Sequence, residues 1–242
     1  MKVSQMPYEH IPLEELKSGM ESIIAGVRSA KTVEEVLAQR ERYLKLNTRL
    51  RTASSLCEIR YTCNTADEYY VAEHDYFDQI GPEIGNLDNE YGRALLEHPL
   101  RSQLEEALSP VYFRYLEVQS KAMSPEIVED MIEENQLTSE YSKLMAGLEF
   151  EFRGKKLSRA ALAAYFKDDD RETRKEAYTV FGHGMNAVAP QLDDIFDRMV
   201  KVRTRMAKKL GYDSFTQLGY YRMNRVCYGQ KEVETFRRNV LE

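Results

Sequence analysis

The sequence predicts a mainly α-helical protein, an elongated array of long antiparallel helices with one small β-hairpin near residues 147–157. Three observations lead to this prediction. The 242 residues include only 7 Pro and 12 Gly, the two residues that most often interrupt helices. Residues that favour helix, such as Glu, Leu, Lys, Arg and Ala, are abundant. Apolar residues recur every three or four positions along most of the chain, which is the period of one helix face.

Helical signals in the first half follow an extended start that contains Pro7 and Pro12. Thr32 and Glu35 have the spacing of a capping box, which marks the beginning of the second helix. Thr65 or Asp67 begins the third helix, which Pro82 can kink. The helices predicted in this half cover residues 13–30, 32–61, 65–97, 100–108 and 111–122.

One segment breaks the helical period, between about residues 147 and 157. Leu148, Phe150 and Phe152 alternate there with charged residues, which is the period of a strand with one buried face. Arg153-Gly154 can supply the turn of a hairpin. An isolated hairpin is marginally stable in water, so we expect its phenylalanine face to lie on helices.

The second half contains further helices with capping signals of its own. Ser124-Pro125 supplies an N-cap followed by an N1 proline. Asp168, Asp169 and Asp170 are interpreted as a cap, because they lack the alternating spacing and glycine of a calcium loop. Gly182-His183-Gly184 is interpreted as a turn between two helices. The helices predicted here cover residues 124–145, 158–166, 171–181, 186–210, 213–224 and 231 onward.

The clearest place to divide the chain is Ser124-Pro125 or the hairpin, and we predict the division at Ser124-Pro125. We expect an N-terminal helical subdomain at residues 1–123. A second helical subdomain, with the hairpin, covers residues 124–242. The last predicted helix has no closing Gly, Asn or Pro, so the end of the sequence is expected to be a truncation.

Charge and cysteine content exclude several classes of protein. The formal net charge of −6 disfavours a dedicated nucleic-acid or anionic-membrane binder, which needs a basic surface. Neither a signal peptide nor a run of about 18 apolar residues is present, so we expect no membrane partner. Cys57, Cys63 and Cys227 are interpreted as reduced structural thiols. Together these features predict a cytoplasmic protein.

Catalytic and metal-ligating residues are not predicted anywhere in this chain. A helical zinc peptidase site needs His-Glu-x-x-His, and none of the four histidines lies in such a motif. His74 and Asp78 have the i, i+4 spacing of a helix face, but we interpret them as a solvated face because no other His or Cys is near. No glycine-rich phosphate loop occurs, so a nucleotide cofactor is not expected.

The best candidates for ligand contact are Tyr220, Tyr221 and Arg222, near the end of a predicted helix. Tyrosine hydroxyls and a guanidinium group can donate hydrogen bonds to peptide carbonyls or to a developing oxyanion in a groove. Packing of the two rings between helices is the alternative explanation.

Five stretches, taken in order, carry a resemblance to a known family. The chain resembles the N-terminal portion of the oligoendopeptidase F family, which is related to thimet oligopeptidase. The stretches are MKVSQMPYEHI, YTCNTADEYYVAEHDYFDQIGP, SPEIVEDMIEENQLTSEYSKLMAGLEFEF, DDDRETRKEAY and VKVRTRMAKKLGYDSFTQLGYYRMNRVCY.

The resemblance implies a cytoplasmic zinc endopeptidase that hydrolyses short peptides in an enclosed channel. In the family, two histidines of His-Glu-x-x-His and a downstream glutamate hold the zinc, and all of them lie beyond Glu242. The complete enzyme is therefore expected to bind zinc, whereas this chain alone is expected to bind none and to be inactive. Its partners would be short peptides and the missing C-terminal catalytic portion, whose absence should leave apolar surface exposed. The alternative is a stand-alone helical peptide-binding or scaffold protein without catalysis.

Overall fold

Ten α-helices and one two-stranded hairpin make up residues 3–242, the part of the chain that the computed structural model describes. The mainly α-helical prediction is confirmed. In chain order the helices are α1 (Leu13–Ser29), α2 (Val33–Cys63), α3 (Glu68–Leu96), α4 (Arg101–Leu108), α5 (Pro110–Ser120), α6 (Val128–Ala146), α7 (Arg159–Ala163), α8 (Arg171–Lys209), α9 (Phe215–Arg222) and α10 (Gln230–Leu241). The strands are β1 (Glu149–Phe152) and β2 (Lys155–Ser158).

Side-chain caps begin several helices where the sequence predicts them. The Thr32 side chain accepts a hydrogen bond from the Glu35 amide, and the Glu35 carboxylate accepts one from the Lys31 amide. Asp67, rather than Thr65, caps α3 by accepting from two amides of its first turn. The start of the chain contains a 3-10 turn at Val3–Gln5, while Met1 and Lys2 lie outside the described residues.

The residues group into two units, the first formed by Met1–Ile132 and Arg203–Glu242 and the second by Glu133–Val202. This grouping does not test the division predicted after residue 123, which stays a prediction. In the first unit, α1 packs against α2 and α3, and α3 packs against α5. The apolar residues of α1 recur at helical spacing and so lie on one face of the helix. Packing against α2 and α3 buries that face. Its buried residues are Leu16, Met20, Ile23, Ile24 and Val27.

A smaller apolar cluster in the first unit fixes the segment that follows α8. Met206 and Leu218 are both fully buried and pack with Ile127 and Met123. Gly211 has φ of 79°, a left-handed conformation in which a Cβ would be strained, so it lets the chain turn between α8 and α9. The cluster therefore determines where α9 lies.

An ion-pair cluster centred on Asp130 lies beside this apolar cluster. The Asp130 side chain is 5% exposed, and its two oxygens lie 2.7 Å from Arg205 Nε and 2.7 Å from Lys209 Nζ. Burial acts to raise the pKa of Asp130, but hydrogen bonds from Lys209 and Arg205 outweigh burial and hold that pKa below its usual value. The ionised carboxylate is therefore the form that the folded chain favours.

We expect Asp130→Asn to lower the free energy of unfolding at pH 7 by about 1–2 kcal/mol, since the side chain loses its negative charge and one of its two buried acceptor oxygens. A lowered pKa contributes stability above the unfolded pKa of about 4, and that contribution is lost as the pH falls through the folded pKa. The difference between the two proteins should therefore shrink in acid. Urea unfolding over a pH series measures it.

The control for this substitution is Asp197→Asn, which breaks an exposed ion pair to Lys201. Exposed pairs contribute little, so we expect a change below about 0.5 kcal/mol. Equal losses from the two substitutions would show that burial of Asp130 has no energetic role.

The hairpin belongs to the second unit and matches the prediction. Phe152 pairs with Lys155 across an antiparallel ladder, and Arg153 and Gly154 form the turn with φ of 51° and 77°. Phe150 and Phe152 are each 2% exposed and pack with Leu162 and Ala177 of the helices that follow. The alternation of apolar and charged residues therefore correctly predicts a strand with one buried face.

The predicted turn at Gly182-His183-Gly184 is wrong, because α8 continues through these residues as one helix of 39 residues. Gly184 serves close packing instead of a turn. A Cβ built on Gly184 would lie 2.5 Å from Cε1 of Phe150, whereas one on Gly182 would meet no atom within 4 Å. Gly184 therefore lets the Phe150 ring of β1 lie directly on the backbone of α8.

Of the three aspartates before α8, capping is confirmed at Asp170. Asp170 accepts hydrogen bonds from the amide of Thr173 at 2.9 Å and from its hydroxyl at 2.7 Å. Among residues 3–242, no helix combines the length and the apolar character that crossing a membrane requires.

Candidate functional site

The residues predicted to contact a ligand lie in the last turn of α9. Ser214 precedes the helix in an extended conformation. After Arg222 the chain changes direction at Asn224, whose φ is 53°. A left-handed residue of this kind ends a helix, and Asn tolerates it better than most residues. α9 is therefore short, and Tyr220, Tyr221 and Arg222 point in different directions around its final turn.

Tyr220 is half-buried and its ring is covered by a cation. The Arg225 guanidinium lies 4.4 Å from the Tyr220 ring centroid and 5.1 Å from that of Tyr228. This arrangement is a cation–π stack that closes the loop after α9. A role for Tyr220 in ligand contact stays a prediction.

Tyr221 packs between neighbouring elements of the first unit. Its ring centroid lies 5.6 Å from that of Tyr212, and Lys121 Nζ lies 5.5 Å from it. The Tyr221 hydroxyl accepts a hydrogen bond from Gln217 at 3.4 Å, and the Tyr212 hydroxyl donates to the Lys121 carbonyl at 2.6 Å. Packing accounts for the Tyr221 ring, so its role in ligand contact also stays a prediction.

Arg222 lies at a cavity with a mixed polar and apolar wall, which we call the Arg222 cavity. It has a volume of about 210 Å³ and brings together residues of α3, α5, α6 and the end of α9. The polar residues of its wall are Asp88, Asn89, Gln119, Arg222 and Asn224. Buried Asn89 donates a hydrogen bond to the Met123 carbonyl at 3.3 Å, which ties α3 to the segment before α6.

Asp88 is the residue of this cavity whose charge changes nearest to neutral pH. Burial raises the pKa of the Asp88 carboxyl to about 6, although the Tyr43 hydroxyl and the Arg51 charge act in the opposite direction. An acid in this range can lose or take up a proton under ordinary conditions. The Arg222 cavity therefore offers a cation, amide groups and a titrating carboxyl, which together suit the carbonyl, amide and terminal groups of a polar chain.

Sequence reasoning missed Asp88, but a signal was present. Ile84, Asp88 and Tyr91 follow the i, i+4, i+7 pattern of one helix face, and both apolar members are buried. A charged residue on an apolar helix face is unusual and is a reason to suspect a function. The wall residues Asn89 and Gln119 carry no comparable signal.

His74 differs from its predicted environment. Its side chain is 14% exposed and stacks on the Tyr61 ring with centroids 4.0 Å apart, so the predicted solvated face is wrong. The imidazole nitrogens lie 3.1 Å from Glu58 and 3.6 Å from Asp78. Ligand atoms of His74, Asp75 and Asp78 come within 4.8 Å of one another, and this is the one such group found in residues 3–242. An imidazole between two carboxylates is a common ion pair, and no metal is assigned to it.

Apolar side chains lie exposed in each unit. In the second unit, Tyr141, Leu192, Phe196 and Met199 line an open groove of about 410 Å³, and Phe196 is 71% exposed. In the first unit, α10 has no buried residue, and Phe236, Val240 and Leu241 are 67%, 68% and 89% exposed.

The family model for the Peptidase M3 N-terminal domain matches residues 3–123. No curated protein matches the chain. The chain is also similar over nearly its whole length to solved structures.

Three of these structures are peptidases by their descriptions. A protein assigned as an oligoendopeptidase F is 35% identical with a TM-score of 0.96, and PZ peptidase A, solved with an inhibitor, is 37% identical with a TM-score of 0.96. Each match covers 99% of this chain and 42% of the other. A protein assigned as an oligoendopeptidase F from Bacillus anthracis is 32% identical with a TM-score of 0.95, over 98% of this chain and 44% of the other. The chain thus spans less than half the length of the solved chains it matches.

Proposed function

The chain belongs to the M3 peptidase family, whose N-terminal domain it contains, and on this basis we propose that it is the N-terminal part of a zinc-dependent oligoendopeptidase. The complete enzyme hydrolyses short peptides inside an enclosed channel. This chain supplies part of the channel wall, and the remaining portion of the protein supplies the catalytic groups.

One observation carries the proposal: the match to the oligoendopeptidase F and PZ peptidase A structures at TM-scores of 0.96 and 35–37% identity. Since identity of this level accompanies the same fold throughout, the equivalent part of those peptidases is the best guide to this chain. PZ peptidase A was solved with an inhibitor, which supports a peptide as the ligand class.

The residues of this chain do not fit a peptidase zinc site. Such a site needs two histidines one helical turn apart with a glutamate after the first. The four histidines stand at positions 10, 74, 98 and 183, too far apart in sequence to share one turn. We therefore derive no catalytic step from this chain, and assign it to binding and enclosing the substrate.

Arg222 is the side chain that we assign to substrate binding. Its position in the wall of the Arg222 cavity, beside amide groups of Asn89, Gln119 and Asn224, suits hydrogen bonds to peptide carbonyls or to a terminal carboxylate. Tyr220 and Tyr221 belong to the same channel wall in this proposal, with their rings fixed by Arg225 and Tyr212.

The exposed apolar residues support the proposal that a further portion of the protein packs against this chain. Monomeric proteins rarely leave large contiguous apolar patches in water. We propose that the remaining portion covers the groove at Phe196 and the apolar side of α10 at Phe236 and Val240. Free thiols at Cys57, Cys63 and Cys227 suit a cytoplasmic enzyme.

The test is to read the gene beyond codon 242 and to express the longest open frame beside the 242-residue chain. We expect the longer protein to contain His-Glu-x-x-His, to hold one zinc per chain and to cleave a quenched fluorescent peptide. The 242-residue chain should do neither, because it lacks the ligands.

Two results would contradict the proposal. Peptide hydrolysis by the 242-residue chain, retained after purification from a host lacking related peptidases, would place the catalytic groups within it. A stop codon directly after codon 242 would favour the alternative, a stand-alone helical peptide-binding protein. In that case the Arg222 cavity is the feature to examine for peptide binding.

A further inference from the structure

A second cavity lies in the first unit, enclosed by α2, α3 and α5. We call it the tyrosine cavity, and its volume is about 210 Å³. Its wall includes Arg40, Tyr43 and Arg51 of α2, Asp88 and Tyr91 of α3, and Tyr112 of α5. Asp88 and Gln119 also lie in the wall of the Arg222 cavity. Nothing in the proposed function uses the other residues of this wall.

Two hydrogen-bond donors of the tyrosine cavity are buried and lack an acceptor of good geometry. Arg40 Nε and the Tyr91 hydroxyl oxygen are both inaccessible to water, and neither has a described partner within hydrogen-bond distance and angle. Burial raises the pKa of Tyr91, and the Tyr112 hydroxyl is close enough to help raise that pKa, but it is only a weak partner. Tyr91 as a whole is 1% exposed. A buried donor left without an acceptor is costly, so native proteins seldom leave two of them in one place.

Packing holds both donors in position. The Tyr91 ring is stacked on that of Tyr43, with centroids 4.1 Å apart and planes at 10°. The Arg40 guanidinium lies 5.3 Å from the centroid of the Tyr112 ring. Because neither side chain can turn away freely, the donors are preorganised for a ligand that supplies acceptor atoms.

The charges of the wall favour a negative ligand. Arg40 and Arg51 are two permanent cations, and Asp88 is the single acid of the wall. The Gln119 amide donates to the Tyr115 hydroxyl at 2.6 Å, which leaves that hydroxyl hydrogen available as a further donor. The wall therefore offers a net positive charge and the hydroxyl donors of Tyr91 and Tyr115.

We propose that the tyrosine cavity binds a small anion, either a carboxylate or an inorganic oxyanion, through Arg40 and the Tyr91 hydroxyl. Its volume is below the range of about 300–1,000 Å³ that is typical for larger organic ligands, so the ligand is small. This proposal does not depend on the proposed peptidase function, because anion binding at the tyrosine cavity requires neither a peptide substrate nor the catalytic portion of the protein.

Asp88 makes anion binding dependent on pH. It is faced by Arg40, Tyr43 and Arg51 from α2, Tyr91 from its own helix, Tyr112 and Tyr115 from α5, and Arg222 across the other cavity. The pKa of Asp88 is about 6. Above that pH its negative charge repels the anion, so the affinity falls as the pH rises through 6.

The experiment measures binding of sulfate and of acetate to the 242-residue chain by isothermal titration calorimetry and thermal unfolding, at constant ionic strength. Preference for sulfate identifies an oxyanion site, and preference for acetate identifies a carboxylate site. We expect saturable binding of the anion to the unsubstituted chain. Arg40→Gln removes a charged hydrogen bond and should weaken the affinity about tenfold or more. Tyr91→Phe removes a neutral hydrogen bond and should weaken the affinity about threefold to tenfold.

Arg42→Gln is the matched control, because Arg42 lies on the same helix and already donates to Gln39 and Ser22. It removes one positive charge without touching the cavity wall, so the affinity should stay unchanged. Circular dichroism checks that each variant folds, and Tyr91→Phe changes the shape least if Arg40→Gln does not fold.

Sulfate keeps its charge between pH 5.5 and 8, so it also tests the role of Asp88. We expect its affinity to fall severalfold over this range in the unsubstituted chain and to stay constant in Asp88→Asn. The proposal is overturned if neither anion binds at millimolar concentration, or if Arg40→Gln and Tyr91→Phe bind as tightly as Arg42→Gln.

Discussion

Replacing Arg222 with alanine in the full-length enzyme is expected to lower kcat/KM for short peptides by about 10- to 150-fold. A hydrogen bond from a charged donor contributes about 1.5–3 kcal/mol, which corresponds to this factor. Arg222 is expected to donate such bonds because it lies in the cavity wall with the polar residues Asn89, Gln119 and Asn224. A quenched fluorescent peptide, assayed under steady-state conditions, gives kcat and KM separately.

Arg222→Lys separates charge from geometry at this position. Lysine keeps the positive charge but lacks the planar fork of donors, so partial recovery indicates one contact and no recovery indicates a bidentate contact. Arg28→Ala is the control, since Arg28 lies exposed on α1 and is absent from the wall of the Arg222 cavity. Wild-type kcat/KM in Arg222→Ala would remove Arg222 from the substrate-binding site.

The second large effect is expected at Gly184 in α8. We expect Gly184→Ala to lower the free energy of unfolding by about 1–3 kcal/mol, the usual cost of overpacking a filled core. The new Cβ would lie 2.5 Å from the Phe150 ring, which is itself 2% exposed and cannot move into solvent. Denaturant unfolding followed by circular dichroism measures the change.

Gly182→Ala is the control, two residues away in the same helix. No atom lies within 4 Å of its added Cβ, so only the higher helix propensity of alanine remains, and stability should rise by about 1 kcal/mol. Phe150→Leu should reduce the loss caused by Gly184→Ala, because the two side chains then no longer compete for the same space. Equal gains at both glycines would mean that the hairpin does not pack on α8 as the structure shows.

The contrast between Gly154 and Gly184 shows where local reasoning is sufficient. Gly154 follows Arg153 between two alternating runs, and a turn of φ above zero is a property of the residues themselves. Gly184 has the same chemistry, but it sits in a regular helix because Phe150, 34 positions earlier in the chain, needs the space. A glycine that permits close approach cannot be distinguished from a turn glycine before its partner is known.

The candidate sites divide in the same way. Tyr220, Tyr221 and Arg222 are adjacent, so the sequence predicts them as a group. The structure instead packs the two rings with Arg225 and Tyr212. It places Arg222 over the Phe215 ring and in the wall of a cavity. Asp88 was missed because its raised pKa arises from burial, which depends on α2 and α5 covering one face of α3. The charge state and the hydrogen bonds of Asp88 therefore depend on how the three helices pack together.

The sequence by itself determined the helical class, most helix limits, the aspartate and threonine caps, the hairpin and the resemblance to oligoendopeptidases, because each depends on residues that are close along the chain or on an ordered set of motifs. Tertiary structure alone decided that α8 is continuous, that His74 stacks on Tyr61, and that Arg40, Asp88 and Tyr91 share one cavity. The physical reason is that burial and unsatisfied donors are set by side chains distant in sequence, which meet only when the helices pack.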